Sequence, residues 1–452
     1  MTRAALAVIG GGWAGCAAAV TLAESGFAVD LVEAAPELGG RARRVARHGL
    51  CLDNGQHLML GAYRETLDLM ARIDAPALAR RPLRIAPFAP AQRNALALTA
   101  RRLPAPLGLL AGLLRAQGLD WRERIATLRW FAALRARTFR CDPAATVAQL
   151  TAPLPRRAAE RLWHPLCLAA LNTHPAEASA QIFANVLHAA FAAVAGGADW
   201  MAPAGDLGTL VPDATRRFLA AGGHRVVAAT TAQVVEARAS PPTGWRVRVG
   251  DTARDYAGVV VAVAPHQLAH AFAPPVAARE PALAAALALV EGLRWEPITT
   301  VYLGYATTVA VETALVRLDD QPGQWLFARD DIVATARPPA PRLASVVAVA
   351  ISAHGAHDAL AHDALAAAVD AQLRRLAPRW PALAWSQVIE EKRATYACTP
   401  QATRPRAGVL MPGIALAGDY TDDRFPATLE AAVRSGNRAA AALARALRAG
   451  DN

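Results

Sequence analysis

Gly10, Gly12 and Gly15, with Gly11 between the first two, carry the most specific chemistry in this sequence. In a Gly-x-Gly-x-x-Gly run the first glycine makes a tight turn. The second lets the backbone approach a pyrophosphate, and the third lets a helix pack closely on a strand. The pyrophosphate then lies on a helix N-terminus, where free N–H groups and the dipole favour anions. Glu33 ends the next apolar run, where an acceptor for a ribose hydroxyl is expected. "LGGRAR", residues 38–43, adds Gly39, Gly40 and Arg41 immediately afterwards. A dinucleotide is therefore the expected ligand, and both NAD and FAD use such a cradle.

The elements that must position these residues follow from periodicity. Residues 5–10 and 28–33 read as strands, and 15–25 as a helix closed by Gly26, which together open a βαβ unit. From about 77 to 200 the pattern turns helical, with segments at 107–114, 121–139, 156–171 and 180–194. A β-rich stretch covers 224–263. Helices are expected at 281–292, 358–376 and 428–447, and strands at 299–305, 344–352 and 414–417. The expected fold is α/β: a Rossmann-type dinucleotide-binding domain, opened by the first segment and completed by the last, with an inserted α+β substrate domain. The first would comprise 1–76, 200–265 and 385–452, the second 77–199 and 266–384.

Composition narrows the classes. A chain of 452 residues is expected to form two domains. The net charge of +11 comes from scattered arginines, with only short pairs such as Arg43-Arg44, Arg80-Arg81 and Arg156-Arg157. No long basic run is present, so nucleic acid is not an expected partner, while lipid headgroups stay open. Five cysteines at irregular spacing (Cys16, Cys51, Cys141, Cys167, Cys398) fit reduced thiols in a cytoplasm. The sequence opens directly on a strand, so no signal peptide is expected. No long uncharged apolar stretch suits a spanning helix, and no His/Cys/Asp cluster has metal-ligand spacing.

The Gly-Gly-Arg of "LGGRAR", the turn "DNGQH" at 53–57, and "LAGDYTD" at 416–422 with "LEAAVRSGNRAA" at 429–440 resemble the flavin amine oxidase and phytoene desaturase superfamily. The resemblance implies FAD. It places Gly40 beside the pyrophosphate with Arg41 in support, and the turn at Gly55 near the flavin. It places Gly418 and Asp419 at the ribityl or pyrophosphate side, and aims the helix from Thr428 at the flavin. Val234 would bracket the adenine by backbone contacts. Segments 53–70, 162–187, 202–213 and 391–400 resemble the squalene-associated branch, the hydroxysqualene dehydroxylases. That likeness implies reduction of hydroxysqualene to squalene on a bacterial route to hopanoids.

Such a reaction makes demands that can be stated independently. Loss of an allylic hydroxyl leaves a delocalised cation, to which a reduced flavin can deliver hydride. The protein must supply a long apolar tunnel, a proton donor and exclusion of water. His57 and His164 are the donor candidates, since imidazole suits proton transfer near neutral pH. Each has a structural alternative, a backbone hydrogen bond for His57 and a satisfied core position for His164. Tyr396 is a third catalytic candidate, on a cavity wall close to the flavin, with structural packing as its alternative. Lys392, the only lysine, invites comparison with amine oxidases, but an ion pair with Glu390 or Glu391 is the favoured expectation. Residues 103–117 are apolar and end in arginine, which suits either a membrane interface or a buried helix.

No second glycine cradle is evident, so electrons are expected from free NADPH or a reductase. The expected location is the cytoplasm, peripheral to the inner face of the cell membrane. Two other readings stand beside this one: an oxidative desaturase of phytoene-like carotenoid precursors, and a non-catalytic flavin-containing polyprenoid carrier.

Overall fold

The opening apolar run forms the strand Ala5–Ile9, and the helix Trp13–Glu24 follows it directly through the glycine turn. The structure is a computed structural model that describes residues 3–100, 103–104, 106–238, 244–311, 313, 315–338 and 340–450. Ala5–Ile9 lies inside a six-stranded sheet ordered Gly408–Met411, Ile414–Leu416, Gly258–Val261, Ala5–Ile9, Ala28–Val32, Arg225–Val227. Every pairing is parallel except that of Gly408–Met411, at one edge. The central strands are buried on both faces, which is why they read as continuous Val, Leu and Ile rather than as an alternation. This is the Rossmann-type α/β sheet, and both ends of the chain contribute to it.

Close packing fixes the layer above the sheet. Helix Trp13–Glu24 lies against the C-terminal helix Leu429–Gly450. A Cβ on Gly436 would sit 2.1 Å from the Ala14 carbonyl oxygen, and one on Gly15 only 1.8 Å from that of Gly10. Neither position has room for a methyl group.

The second large sheet has seven strands, in the order Leu383–Tyr396, Trp295–Tyr305, Ser345–Ser352, Trp325–Ala328, Val316–Arg317, Arg84–Pro87, Leu98–Thr99. Helix His362–Leu376 covers one face, burying Leu365, Val369 and Leu373 against Val301, Leu303 and Val349. A buried ion pair joins this sheet to the turn at 53–57: Asp53 Oδ2 lies 3.0 Å from Arg329. The same carboxylate accepts the Leu207 N–H at 2.8 Å, and the Tyr302 hydroxyl donates to the Asp53 carbonyl at 2.9 Å. Burial raises the Asp53 carboxyl above its ordinary value even though Arg329 opposes this.

Several elements differ from expectation. The longest strand, Leu383–Tyr396, is absent from the sequence reading because its run of Ser, Gln, Glu, Lys and Arg has no apolar alternation. It pairs along Trp295–Tyr305, which begins earlier than expected. The helix expected over 121–139 stops at Ala136, where Thr138 and Phe139 take positive φ. The segments 156–171 and 180–194 each contain a π turn, at Ala159–Trp163 and Ala189–Ala193. The helix expected from 358 begins at His362, after a short 3₁₀ turn at Ala356–Ala359. Among the described residues no helix is long and apolar enough to cross a membrane.

Gly436 sets a test of the inter-helix packing. Helix propensity alone favours alanine by about 1 kcal/mol. The clash with Ala14 predicts instead that Gly436→Ala destabilises by about 1–3 kcal/mol. Thermal unfolding of the loaded protein decides by sign, and a stabilised variant would refute the packing.

Candidate functional site

The glycine turn and the Gly-Gly-Arg segment meet backbone to backbone. Gly10 has φ +103°, and a Cβ there would lie 2.6 Å from the Ala262 carbonyl oxygen, so only glycine turns the chain here. The Gly39 N–H donates to the Gly11 carbonyl at 2.8 Å. Gly40 has φ +60°, and its Cβ would stand 3.2 Å from the Gly12 Cα. Around this junction lies a cavity of about 450 Å³, at the carboxyl ends of the parallel strands. Gly10, Gly12, Glu33, Gly40, Arg41, Gly418, Asp419 and Thr428 all line it. Ligands of open parallel sheets bind at this edge, outside the carboxyl ends of the strands.

Each lining group has a definable capacity. Glu33 is held by two backbone donors, Gly11 N–H at 2.6 Å and Ala35 N–H at 2.8 Å, which fixes its carboxylate on the wall. Thr230, Thr231 and Ala232 lie at the same end. Val234 does not line the cavity; its side chain is fully buried and its carbonyl accepts the Ala273 N–H at 2.8 Å. At the other end Arg41 reaches Asp419 at 2.6 Å and donates to the Ala394 carbonyl. The Arg41 carbonyl in turn accepts from Asn54 at 3.0 Å. Gly418, at φ +146°, leaves no room for a Cβ beside the Tyr420 ring, and its N–H donates to Ser435 Oγ at 2.9 Å. Thr428 caps the C-terminal helix, its Oγ1 accepting the Ala431 N–H at 3.2 Å, so that helix presents its N-terminus to the cavity.

These groups fit a flavin dinucleotide. Two helix N-termini and bare glycine backbone suit a pyrophosphate, and Glu33 suits a ribose. Two buried ring nitrogens of residues on the wall, Trp13 Nε1 and His266 Nδ1, have no hydrogen-bond partner among the described residues. His266 and Trp13 escape a reading of the sequence. The available signal is that His266 follows the strand Gly258–Val261, which neighbours Ala5–Ile9.

The three proton-chemistry candidates are not brought together. His57 lines the cavity, half-buried, with Nδ1 3.1 Å from the Gly55 carbonyl. A carbonyl only accepts, so Nδ1 carries the hydrogen and Nε2 remains an acceptor. Burial, reinforced by Arg41 and Arg329, pushes this imidazole down to about 4, so it is neutral at pH 7. His164 lies outside the cavity, with Nε2 3.0 Å from Thr151 Oγ1. Tyr396 lines a second cavity, of about 300 Å³, with Cys398 and Arg404. Its hydroxyl meets the Arg404 guanidinium and lies 3.3 Å from the Phe425 carbonyl. The two cavities adjoin along the chain, through Ala394 and Tyr396 on one strand. Lys392 is exposed, and neither Glu390 nor Glu391 pairs with it among the described residues. Those acids turn elsewhere: Glu391 accepts from Asn54 at 3.1 Å, and Glu390 lies 3.6 Å from His362.

Comparison with known proteins agrees with this geometry. A family model described as flavin-containing amine oxidoreductase matches residues 13–444. The chain is similar to a hydroxysqualene dehydroxylase of Rhodopseudomonas palustris, 30% identical over 447 residues and 96% of both chains. A second hydroxysqualene dehydroxylase, from Sinorhizobium fredii, is 26% identical over 462 residues, again covering 96% of each. Among solved structures, an oxidoreductase from Methanosarcina mazei superposes with a TM-score of 0.72 at 14% identity, covering 96% of this chain and 98% of that one. Cyclohexylamine oxidase from Brevibacterium oxydans superposes with 0.69 at 16% identity, covering 99% and 100%. At such identity these two structures speak for the fold.

Two outcomes follow from the site. Arg41→Met leaves Asp419 unpaired on the cavity wall and is expected to weaken FAD binding by about 10–100-fold, from a lost charged hydrogen bond of roughly 1.5–3 kcal/mol. Flavin fluorescence titration of the stripped protein measures this; unaltered affinity would remove Arg41 from the cofactor site. The second concerns pH. The folded His57 titrates near 4 rather than at its ordinary 6.5, so the unfolded chain takes up that proton first as pH falls. Stability is therefore lost between about 6.5 and 4. Melting temperatures of His57→Gln should fall less steeply across that window than those of the wild type, and equal slopes would contradict the burial.

Proposed function

We infer what this chain does from its family: it belongs to the flavin-containing amine oxidoreductases, whose family model spans residues 13–444. It is an FAD-dependent oxidoreductase. The finer reading is that it removes the hydroxyl of hydroxysqualene reductively to give squalene. Hydride and a proton enter, and water leaves. The observation that carries this reading is likeness over 96% of the chain to two proteins named hydroxysqualene dehydroxylase.

Bound FAD, once reduced, supplies the hydride. The chain's own groups would bind and orient. The glycine turn, Gly40 and the two helix N-termini hold the pyrophosphate, Glu33 the ribose, and Arg41 with Asp419 closes the far end. His57 is the imidazole on this cavity wall. Neutral and with Nε2 free to accept, it suits orienting the substrate hydroxyl better than protonating it. Burial keeps this imidazole rarely charged at pH 7, so the proton for the departing oxygen would enter from solvent. His57 therefore takes the orienting role, and neither His164 nor Tyr396, both outside this cavity, serves as the acid.

The isoprenoid tail would lie in the helical part. There a cavity of about 600 Å³ is walled by Ala126, Trp130, Leu134 and Leu150, with Arg129, Arg137, Asp142 and Gln149 also on its lining. It shares no lining residue with the cofactor cavity, so the two would have to communicate once substrate is bound. In this reading residues 1–76, 200–265 and 385–452 serve the cofactor, joined by His266, Gln267, His270 and Ala271 just past the second of these segments, and 77–199 with the rest of 266–384 serve the substrate. Electrons would come from NADPH in solution or a partner reductase.

Anaerobic mixing of photoreduced holoenzyme with hydroxysqualene is the test. Reoxidation of the flavin with formation of squalene is expected. Flavin that stays reduced here, while oxidised enzyme is bleached by phytoene, would reassign the protein as a desaturase. Stoichiometric lipid binding with no turnover in either redox state would make it a carrier.

A further inference from the structure

Among the described residues, large hydrophobic side chains are exposed at few places, and most of them fall in one stretch. Leu103 is 40% exposed, Leu107 and Leu114 are each 52%, and Trp121 is 68%. Helix Leu107–Leu114 has two apolar faces. Gly108, Leu109, Gly112 and Leu113 are buried, while Leu107 and Leu114, with Leu110 partly covered between them, look outward. The spacing i, i+3, i+7 puts those three on one stripe. A helix that is apolar on both sides and covered on one lacks a partner for the other.

The stripe is held rigidly in this pose. Gly112 brings the helix so close to the strand Leu98–Thr99 that a Cβ would lie 2.6 Å from the Thr99 carbonyl oxygen. Arg124 donates to the Leu114 carbonyl at 2.9 Å and to the Leu119 carbonyl at 3.1 Å, closing the helix end. Asp120 and Glu123 then cap the next helix, Trp121–Ala136, with reciprocal bonds of 2.9 and 2.8 Å. Trp121 therefore projects from an ordered helix start.

The surrounding charge says what covers the stripe. Arg115 and Arg122 flank it, both exposed, and among the described residues neither pairs with a carboxylate. Arg122 stands 5.4 Å from the centroid of the Trp121 ring. Exposed Arg93 is tied to the same corner, because Arg161 donates both to its carbonyl and to that of Gly118. Leucines and a tryptophan ringed by unpaired guanidinium groups match the boundary between acyl chains and anionic headgroups.

We propose that the surface formed by Leu103, Leu107, Leu114 and Trp121, with Arg115 and Arg122 at its rim, docks this protein on an anionic lipid bilayer. The contact follows from exposure and charge. Only its use as an entry path rests on the isoprenoid reading above. That use has a geometric basis, since Ala126, Trp130, Ala133 and Leu134 wall the 600 Å³ cavity from the helix that Trp121 begins.

Flavin-loaded protein would be sedimented with substrate-free, sucrose-filled vesicles of phosphatidylglycerol and phosphatidylcholine, and with phosphatidylcholine alone. The wild type should bind the anionic vesicles and release as salt rises. L107S/L114S/W121S should lower the partition coefficient about tenfold or more while keeping its flavin absorbance. R115E/R122E should weaken binding to the anionic vesicles and leave that to phosphatidylcholine as it was. Brominated lipid should quench wild-type tryptophan emission more than that of W121S, a readout that survives if the triple variant misfolds. No binding by the wild type, or equal binding by both variants, overturns the proposal. So does dissociation of an oligomer in the triple variant, which would assign the stripe to a second copy of the chain. With no substrate present, none of these outcomes depends on the turnover reading.

Discussion

The ion pair between Arg41 and Asp419 joins residues 378 positions apart, and the cavity that both line lies where their two loops meet. Each is set by its own local geometry. Arg41 follows two glycines at positive φ, and Asp419 follows Gly418 at φ +146°. A flexible loop of that length would be entropically costly to close for a single contact. The parallel sheet closes it instead, because Ile414–Leu416 and Ala5–Ile9 both pair with Gly258–Val261. Once the sheet has formed, the two loops emerge at its carboxyl edge and the cavity lies between them.

Removing charge from water shapes the rest of the site. Asp53 is buried between Arg329 and the Leu207 N–H, and burial still raises its carboxyl. Such a pair contributes more to orientation than to net stability, since desolvation opposes the attraction. Its effect is to hold the turn carrying Gly55 and His57 under the seven-stranded sheet. His57 meets the same condition in the opposite sense. Burial and two nearby guanidinium groups keep it neutral, which makes it an acceptor at neutral pH. Both groups are thus fixed in place and in charge by what surrounds them.

The helical part follows a different logic. Its helices bury large aromatics such as Trp163, Phe131 and Phe183, yet leave leucines and a tryptophan outside. Core packing cannot explain the outer stripe, because Gly108, Leu109, Gly112 and Leu113 already supply the inward face. The outer stripe therefore answers to something outside the described fold, which is the ground for the bilayer contact proposed above.

The sequence by itself determined the cradle. Glycine spacing, the strand-end Glu33, the Gly-Gly-Arg and the C-terminal Gly-Asp all report local backbone needs that few residue types can meet. Gly10, Gly12, Glu33, Gly40, Arg41, Gly418 and Asp419 line one cavity in the folded chain, while Gly15 lets the helix pack beneath it. Tertiary structure alone decided the rest. The strand Leu383–Tyr396 exists because Trp295–Tyr305 offers it a hydrogen-bonding edge, which no apolar alternation announces. His57 and His164 are equivalent as residue types, and Tyr396 is another proton carrier, but protonation and access depend on what surrounds each one. Only the first faces the cofactor cavity. Trp13 and His266 became visible as ring nitrogens lacking partners, a property of packing. Residue type fixes what a side chain can do, whereas burial, neighbouring charge and the arrangement of the two sheets fix which of those capacities is used.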